Sequence, residues 1–282
     1  MDRDGVERGT LTDKVAQDFV AARLAARSLP DFPGALPPDL ATGYRHQEAA
    51  IALWPDEIIG WKIGRVAGAE FEAKFGRTRL AGPIFSRQLR RAGREPVDFP
   101  VFRGGFAAIE AEFVLVVGRD APAAKADWTT EEARALVGGM HIGIETAGSP
   151  LATINALGPA VVVSDFGNNA GLILGGAVGD WRSRSDESLT CESFIEGKSA
   201  GKGAASDLPG GSIESLRFLL EHAARRGRPL KAGMLISTGA VTGIHDIAIG
   251  QRARVDFGPL GGIECVAAAA QGETETSRAA RA

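Results

Sequence analysis

The chain has 282 residues, of which 44% are hydrophobic and 24% are charged, and its formal net charge is -3. This composition is typical of a soluble globular protein. The charge argues against a nucleic-acid-binding protein, which usually carries a basic excess or patch, and no apolar run approaches the roughly 20 residues that cross a bilayer. Two cysteines, Cys191 and Cys265, are too few for a disulfide framework or a zinc cluster.

The first part of the chain is predicted to be helical. Residues 1–8 lack the apolar core of a secretory signal, so we expect a cytoplasmic protein. Apolar residues recur at helical spacing over residues 11–29, which Pro30 closes, and a second helix is predicted over residues 42–53. These two helices define a small helical N-terminal region, residues 1–56.

Short strands dominate the rest of the chain. A strand is predicted at residues 58–64 and a short helix at residues 68–75. Beyond residue 95, β-branched and apolar runs predict seven more strands, at residues 108–117, 140–145, 160–164, 171–174, 234–237, 252–257 and 263–267. We therefore expect a mixed, β-rich catalytic domain over residues 57–270 and a disordered tail over residues 271–282.

Two further helices interrupt these strands. The first begins at a capping box formed by Thr129 and Glu132, in which each side chain can bond the backbone N–H of the other residue. The second is predicted over residues 212–226, with Ser212 as its capping residue and Gly227 just past its end.

Three glutamates are candidate metal ligands. Glu110 and Glu112 begin an apolar, β-branched run, and residues two apart in a strand point to the same face. Two buried carboxylates that close would repel unless a divalent cation neutralised them, whereas an exposed strand end would simply solvate them. Glu145 ends another apolar strand, and three carboxylates suit Mg²⁺ or Mn²⁺ better than zinc. His141 would share the face of Glu145, as a site residue or as a hydrogen-bonded core histidine.

Several polar residues in apolar surroundings are further candidates. Lys62 lies inside an apolar strand, where it needs a nearby anion unless the strand turns it to solvent. Residues 165–171 are rich in turn formers, so Asn168 or Asn169 could orient a ligand or only form the turn. Residues 237–239 (Ser-Thr-Gly) end another strand, and their hydroxyls and amides could hold a carboxylate or make a turn.

Six segments occur in the order and approximate spacing of one family: residues 60–64 (Gly-Trp-Lys-Ile-Gly), 109–112 (Ile-Glu-Ala-Glu), 142–145 (Ile-Gly-Ile-Glu), 165–169, 237–239 and 257–261 (Phe-Gly-Pro-Leu-Gly). From the first helix to about residue 268, the chain resembles the 2-keto-4-pentenoate hydratases and 4-oxalocrotonate decarboxylases, a branch of the fumarylacetoacetate hydrolase superfamily. The resemblance implies an α+β fold, with the superfamily's mixed β-roll core and a small helical N-terminal region. It also implies a Mg²⁺ or Mn²⁺ cofactor and a homo-oligomer.

Together the motifs and the resemblance assign a role to eight residues: metal ligand to Glu110, Glu112 and Glu145, catalytic lysine to Lys62, and substrate contact to Asp165, Asn169, Thr238 and Gly239. The implied activity is that of a lyase, which adds water to a 2-hydroxy-2,4-dienoate and gives a 4-hydroxy-2-oxo acid in the catabolism of aromatic compounds. Decarboxylation of the 4-oxalocrotonate type and C–C hydrolysis of an acylpyruvate are alternatives. A non-catalytic partner subunit, in complex with a related decarboxylase or hydratase, is an alternative of another class. We expect a small-molecule acid as partner, with no nucleic acid and no membrane.

Three places in the chain depart from the pattern of the family. Ala107 and Ala108 stand where the hydratases usually have a proline-arginine pair. Leu80 stands where they often have an acidic residue, and residues 148–150 (Gly-Ser-Pro) stand where relatives often have an arginine. These changes keep the metal ligands but remove polar groups from the expected substrate side of the site.

Overall fold

The computed structural model describes residues 13–66, 68–75 and 79–272. Six α-helices are present within these ranges: α1 (Lys14–Leu24), α2 (Leu40–Leu53), α3 (Ala69–Phe75), α4 (Thr130–Leu136), α5 (Pro159–Ser164) and α6 (Gly211–Arg225). The same ranges contain thirteen strands: β1 (Ile58–Arg65), β2 (Arg79–Phe85), β3 (Leu89–Arg91), β4 (Val97–Val101), β5 (Phe106–Val117), β6 (Val137–Ser149), β7 (Asn169–Ala177), β8 (Thr190–Ile195), β9 (Lys198–Ala204), β10 (Leu235–Ser237), β11 (Ile244–Asp246), β12 (Arg252–Asp256) and β13 (Gly262–Ala269). The expected α+β fold with mixed sheets is confirmed.

The strands form two sheets. The larger has eight strands in the order β2-β1-β10-β5-β6-β7-β3, with β11 paired to β5, and the smaller has the order β4-β13-β12-β8-β9. One edge of β5 is paired with β6 along its whole length, whereas β10 and β11 share the other edge. The loop of residues 238–243 therefore runs past the middle of β5, where the N–H of Val241 donates to the carbonyl oxygen of Ala111 at 2.9 Å.

The two faces of the larger sheet bury different residues, because side chains alternate along each strand. One face packs into the main core, with Ile109 and Phe113 fully buried. The other face carries a smaller apolar cluster, formed by Ile84, Val114, Leu172, Leu174 and Leu235. Glu110 and Glu112 have the same parity as Val114 on β5, so they lie on this second face.

The two N-terminal helices are confirmed with different bounds. Asp13 caps α1 by accepting from the N–H of Ala16 at 3.0 Å, and Asp39 caps α2 by accepting from the N–H of Thr42 at 2.7 Å. α1 ends at Leu24, five residues before the predicted end, because Ala26 adopts a left-handed conformation with φ 51°. The division of the chain at residue 56 stays a prediction.

The strand predicted at residues 160–164 is wrong, since this segment is the buried helix α5. Its β-branched run favours a strand, but Pro159 at the first position is preorganised for a helix. Tertiary packing reinforces this choice. α2 approaches α5 so closely that a Cβ on Gly43 would lie 2.4 Å from the carbonyl oxygen of Ala160.

The two helices of the second half are present, with one corrected cap. In α4, the Thr129 hydroxyl accepts from the N–H of Glu132 at 3.2 Å, and the Glu132 carboxylate accepts from the N–H of Thr129 at 2.9 Å, so the capping box is confirmed. Ser212 does not cap α6, because this helix begins at Gly211 after Gly210, whose φ is 74°. The left-handed glycine starts the helix one residue earlier than predicted.

Of the predicted tail, residues 273–282 lie outside the described residues. Across residues 13–66, 68–75 and 79–272, no helix combines the length and the apolar character needed to span a bilayer. Strands β2, β3, β4, β8, β9 and β11 were not predicted from the sequence. Most of them are short or rich in glycine and charged residues, so their periodicity is weak.

Candidate metal centre

Three carboxylates from two adjacent strands meet on the second face of the larger sheet. Glu110 and Glu145 are directly paired across β5 and β6, and Glu112 lies two residues further along β5. One oxygen of each carboxylate lies within 4.8 Å of the corresponding oxygens of the other two. All three residues are buried, Glu112 and Glu145 completely. The structure therefore brings the predicted ligands together as a triad that could hold a metal ion.

Two of the acids use one oxygen within the protein and leave the other without a partner. Oε2 of Glu112 accepts from the Ser237 hydroxyl at 2.5 Å and from the N–H of Gly239 at 3.0 Å. Oε1 of Glu145 accepts from the side-chain amide of Asn169 at 3.1 Å. Oε1 of Glu112 and Oε2 of Glu145 are buried and have no hydrogen-bond partner among the described residues. Unpartnered buried carboxylate oxygens are costly, and a hard divalent cation fits them.

The pKa values of two of these acids are raised, because burial and mutual repulsion make their charged forms unfavourable. Burial, together with repulsion from Glu145, raises the pKa of the Glu110 carboxyl to about 7, although Lys62 lowers it. Burial, with repulsion from Glu145 and Glu110, also raises the pKa of Glu112 well above its ordinary value. Hydrogen bonds from Ser237 and Gly239 oppose that shift. A divalent cation would remove the repulsion that causes part of both shifts.

Lys62 lies beside the triad on β1 and is 3% exposed. Its Nζ is 3.2 Å from Oε1 of Glu145 and donates to Oδ1 of Asn168, also at 3.2 Å. Burial alone lowers the pKa of this ammonium, but the attraction of Glu145, Glu110 and Glu112 outweighs burial and holds the pKa above its ordinary value. The anion that a buried lysine requires is therefore Glu145.

The two asparagines of the predicted turn both reach the site. Asn169 donates to Glu145, and its backbone carbonyl accepts from Nη1 of Arg23 at 3.0 Å. Asn168 accepts from Lys62 and donates from Nδ2 to Oδ1 of Asn155 at 3.0 Å. Asn169 thus supports a carboxylate of the triad, and its predicted contact with substrate stays a prediction. Asn155 belongs to an exposed loop, and no motif in the sequence marks it.

Asp165 lies in the same segment, but its carboxylate pairs with Arg23. Its Oδ1 is 2.5 Å from Nε of Arg23, and its Oδ2 accepts from Nη2 of Arg23 at 2.9 Å and from the Ser149 hydroxyl at 2.6 Å. Arg23 and Asp165 are 5% and 1% exposed. Nη2 of Arg23 also donates to the carbonyl oxygen of Gly148 at 3.0 Å. Both carboxylate oxygens are therefore used within the protein, and the predicted substrate contact of Asp165 stays a prediction without support from these contacts.

Thr238 and Gly239 lie in the loop that crosses the middle of β5. The Thr238 hydroxyl donates to the carbonyl oxygen of Phe113 at 2.7 Å, and the N–H of Gly239 donates to Glu112. Gly239 has φ 125°, a conformation that favours glycine. Both residues line a cavity of about 140 Å³. They are close enough to the triad for the predicted contact with a substrate carboxylate, but the Thr238 hydroxyl and the Gly239 N–H already donate to Phe113 and Glu112.

Two cavities meet beside Glu110. The smaller one holds Thr238 and Gly239, and the larger one, of about 410 Å³, is bordered by Lys62 and Asn168. Glu110 lines both cavities. Oxygen ligands, an ammonium group and space for a small molecule are therefore contiguous, as a metal-dependent active site requires.

The histidines lie outside this arrangement. Nδ1 of His141 is 3.0 Å from the carbonyl oxygen of Gly175, so this residue is a hydrogen-bonded histidine of the sheet. Nδ1 of His46 is 2.6 Å from Oδ2 of Asp13, at the start of α1. Within the described part of the chain, no histidine lines either cavity.

Solved structures with the same fold are found at low sequence identity. The 4-oxalocrotonate decarboxylase of Pseudomonas putida G7, complexed with magnesium and adipate, matches with a TM-score of 0.74 and 21% identity, over 89% of this chain and 95% of that one. Its complex with calcium and acetate matches with a TM-score of 0.72 and 22% identity over the same shares. Fumarylpyruvate hydrolase of Pseudomonas aeruginosa, in complex with Mn²⁺ and pyruvate, matches with a TM-score of 0.56 and 15% identity, over 74% of this chain and 89% of that one. No protein-family model matches the chain. The shared fold is the one that the superfamily resemblance implies.

Proposed function

We propose that this protein is a metal-dependent enzyme that adds water to a 2-hydroxy-2,4-dienoate. The observation that carries the proposal is the buried triad of Glu110, Glu112 and Glu145, which has two unpartnered oxygens and meets the cavity at Glu110. Mg²⁺ or Mn²⁺ bound there would act as a Lewis acid toward the carboxylate and the 2-oxygen of such a substrate. The fold shared with enzymes whose structures contain these ions supports the same choice of metal.

The residues around the triad would position the ligands before substrate binds. Ser237 and Gly239 hold Oε2 of Glu112, and Asn169 holds Oε1 of Glu145, so the other oxygen of each acid is left for a cation. Such outer hydrogen bonds fix the orientation of metal ligands and tune their basicity. The site is thus preorganised by three different elements of the fold.

Lys62 would contact the substrate directly. It borders the larger cavity and keeps its charge because of the neighbouring carboxylates, so its ammonium would donate to the substrate oxygen on which negative charge develops. A lysine that shuttles a proton would need a lowered pKa. The contact with Glu145 therefore favours an electrostatic role over the proton shuttle.

Two other reactions use the same arrangement. Decarboxylation of a 4-oxalocrotonate needs the same electron sink, and the fold shared with a 4-oxalocrotonate decarboxylase supports it as a second candidate. C–C hydrolysis of an acylpyruvate also needs a base that activates water, often a His–Glu pair. The local pair His46 and Glu48 is bound to other partners, namely Asp13 for His46 and Arg226 with Arg228 for Glu48. A non-catalytic partner subunit is the alternative of another class.

One assay separates these candidates. The protein, loaded with Mn²⁺ or treated with a chelator, is given 2-hydroxypenta-2,4-dienoate, 4-oxalocrotonate or an acylpyruvate, and the products are identified. Metal-dependent formation of 4-hydroxy-2-oxopentanoate is the expected result. If only 4-oxalocrotonate reacts, with release of CO₂, the proposed activity becomes decarboxylation. If only the acylpyruvate is cleaved, the proposed activity becomes C–C hydrolysis. Absence of Mn²⁺ binding in calorimetry would favour the partner subunit.

A further inference from the structure

The larger cavity beside the triad has an apolar wall. Besides the polar side chains of Lys62, Arg65, Glu110, Asn155 and Asn168, its lining includes six large apolar ones: Val66, Phe71, Leu80, Pro159, Val162 and Ile244. Val66 directly follows β1, and the other five lie on α3, β2, α5 and β11, so the wall is assembled from separate parts of the chain. Such a wall would contact the part of a ligand that extends away from the triad, so the chemistry of that part determines which ligands bind.

Two of these side chains lie immediately beside the polar groups. Ile244 on β11 is directly paired with Glu110, and side chains in such antiparallel pairs have Cβ atoms about 4.5–5.5 Å apart. Leu80 is paired with Gly64 and lies on the face of Lys62. A Cβ on Gly64 would lie 3.1 Å from Leu80 and 3.4 Å from Nζ of Lys62, so the leucine methyl groups and the ammonium converge on the same space. A substituent therefore meets apolar atoms as soon as it leaves the triad.

Among the described residues that line this cavity, only Lys62 and Arg65 are cations. Lys62 contacts Glu145 and Asn168, and the proposed function assigns its remaining donor to the 2-oxygen end of the substrate. The Arg65 side chain is 66% exposed and lies 3.5 Å from Glu72. A second carboxylate placed against the wall would lose water without gaining a buried partner, which is unfavourable, whereas an alkyl or aryl group would be stabilised there.

We propose that the site takes acids with a single carboxylate at the 2-oxo or 2-hydroxy end and an uncharged alkyl or aryl tail at the other, and discriminates against dicarboxylates. The inference rests on the proposed function, because it assigns the larger cavity to the tail of the substrate. The triad alone leaves this substrate class open. Leu80 and Phe71 are specificity-determining residues in this assignment.

A matched pair of non-reacting acids tests the proposal. 2-Oxohexanoate and 2-oxoadipate have the same carbon chain and differ in a terminal methyl against a terminal carboxylate. Calorimetry on the Mn²⁺-loaded protein should give at least about tenfold tighter binding of 2-oxohexanoate. Phe71→Ala should weaken the binding of 2-oxohexanoate by about tenfold and should change the affinity for 2-oxoadipate by less than about twofold.

Added charge supplies a second test. Phe71→Lys should shift the affinity ratio at least about tenfold toward 2-oxoadipate, because the wall then carries a cation. Leu53→Lys adds the same charge at a leucine that is 48% exposed and does not line the cavity, so it should leave the ratio unchanged.

The outcomes separate this inference from the proposed function. Equal or tighter binding of 2-oxoadipate by the unmodified protein would overturn the apolar-tail assignment and leave metal-dependent turnover of a dienoate standing. Failure of the Mn²⁺-loaded protein to bind either acid would overturn the proposed function, and the tail assignment with it.

Discussion

The Lys62 ammonium lies 3.2 Å from Oε1 of Glu145, the same oxygen that accepts a hydrogen bond from Asn169. Oε2 of Glu145 remains without a hydrogen-bond partner among the described residues. The lysine and a divalent cation can therefore use different oxygens of one carboxylate. Lys62 stands next to the metal site without occupying a ligand position.

Removal of a ligand carboxylate is expected to abolish metal-dependent turnover while the fold persists. Glu110→Gln or Glu112→Gln should weaken Mn²⁺ binding by more than about 100-fold, because an amide brings no charge to the cation. Calorimetry measures the affinity, and circular dichroism measures the fold. Glu264→Gln, at an exposed residue of β13, is the matched control and should change neither quantity. Full activity of either variant in chelator-treated buffer would contradict the metal assignment.

The stability of the metal-free protein should fall as pH rises through the range in which Glu110 ionises. The pKa of Glu110 is raised from 4.5 to about 7 in the fold, so the folded state binds this proton more tightly than the unfolded state. The stabilisation is complete below pH 4.5 and is lost as pH approaches about 7. Relative to Glu110→Gln, the chelator-treated, metal-free protein should lose roughly 3 kcal/mol of unfolding free energy between pH 4.5 and about 7.

Urea unfolding at a series of pH values measures this difference. Saturating Mn²⁺ is the control, because the cation neutralises the carboxylates and should reduce the decline. The difference in unfolding free energy between the metal-free protein and Glu110→Gln should therefore depend on pH. A difference that does not change with pH would show that Glu110 does not carry a raised pKa in the metal-free protein.

Replacement of the buried lysine is expected to affect chemistry more than metal binding. Lys62→Ala should lower turnover by about 100-fold or more, because the ammonium that faces the developing negative charge is lost. Mn²⁺ affinity should change by less than about tenfold, since Lys62 supplies no ligand atom. Lys202→Ala, at a side chain that is 74% exposed, is the control and should leave turnover unchanged. An unchanged rate in Lys62→Ala would remove this residue from the mechanism.

Asp165 is expected to stabilise the fold through Arg23. Asp165→Asn should lower the free energy of unfolding by about 3–5 kcal/mol, because it leaves the buried guanidinium without its counter-charge. Asp18→Asn breaks an exposed ion pair with Lys14 and should cost less than about 1 kcal/mol. Chemical unfolding measures both effects. Unchanged stability of Asp165→Asn, combined with a raised KM, would instead support the substrate contact predicted from the sequence.

Local patterns in the sequence predicted the parts of the site that depend on short-range geometry. The shared face of Glu110 and Glu112 follows from the two-residue repeat of a strand, and β5 has this repeat. The buried position of Lys62 requires an anion, and one is present. The strand prediction at residues 160–164 failed because a valine-rich run suits either a buried strand or a buried helix. Pro159 at the first position and the close packing of α2 favour the helix.

The sequence by itself determined which side chains could form a hard oxygen site, because carboxylate chemistry and strand alternation are properties of the residues and their immediate neighbours. Only the tertiary structure decided which residues stand opposite one another. The pairing of Glu110 with Glu145 and Ile244, and of Asp165 with Arg23, joins positions far apart in the chain. Such pairings depend on sheet order and helix docking, which sum many weak contacts across the whole core and leave no signature in any short segment.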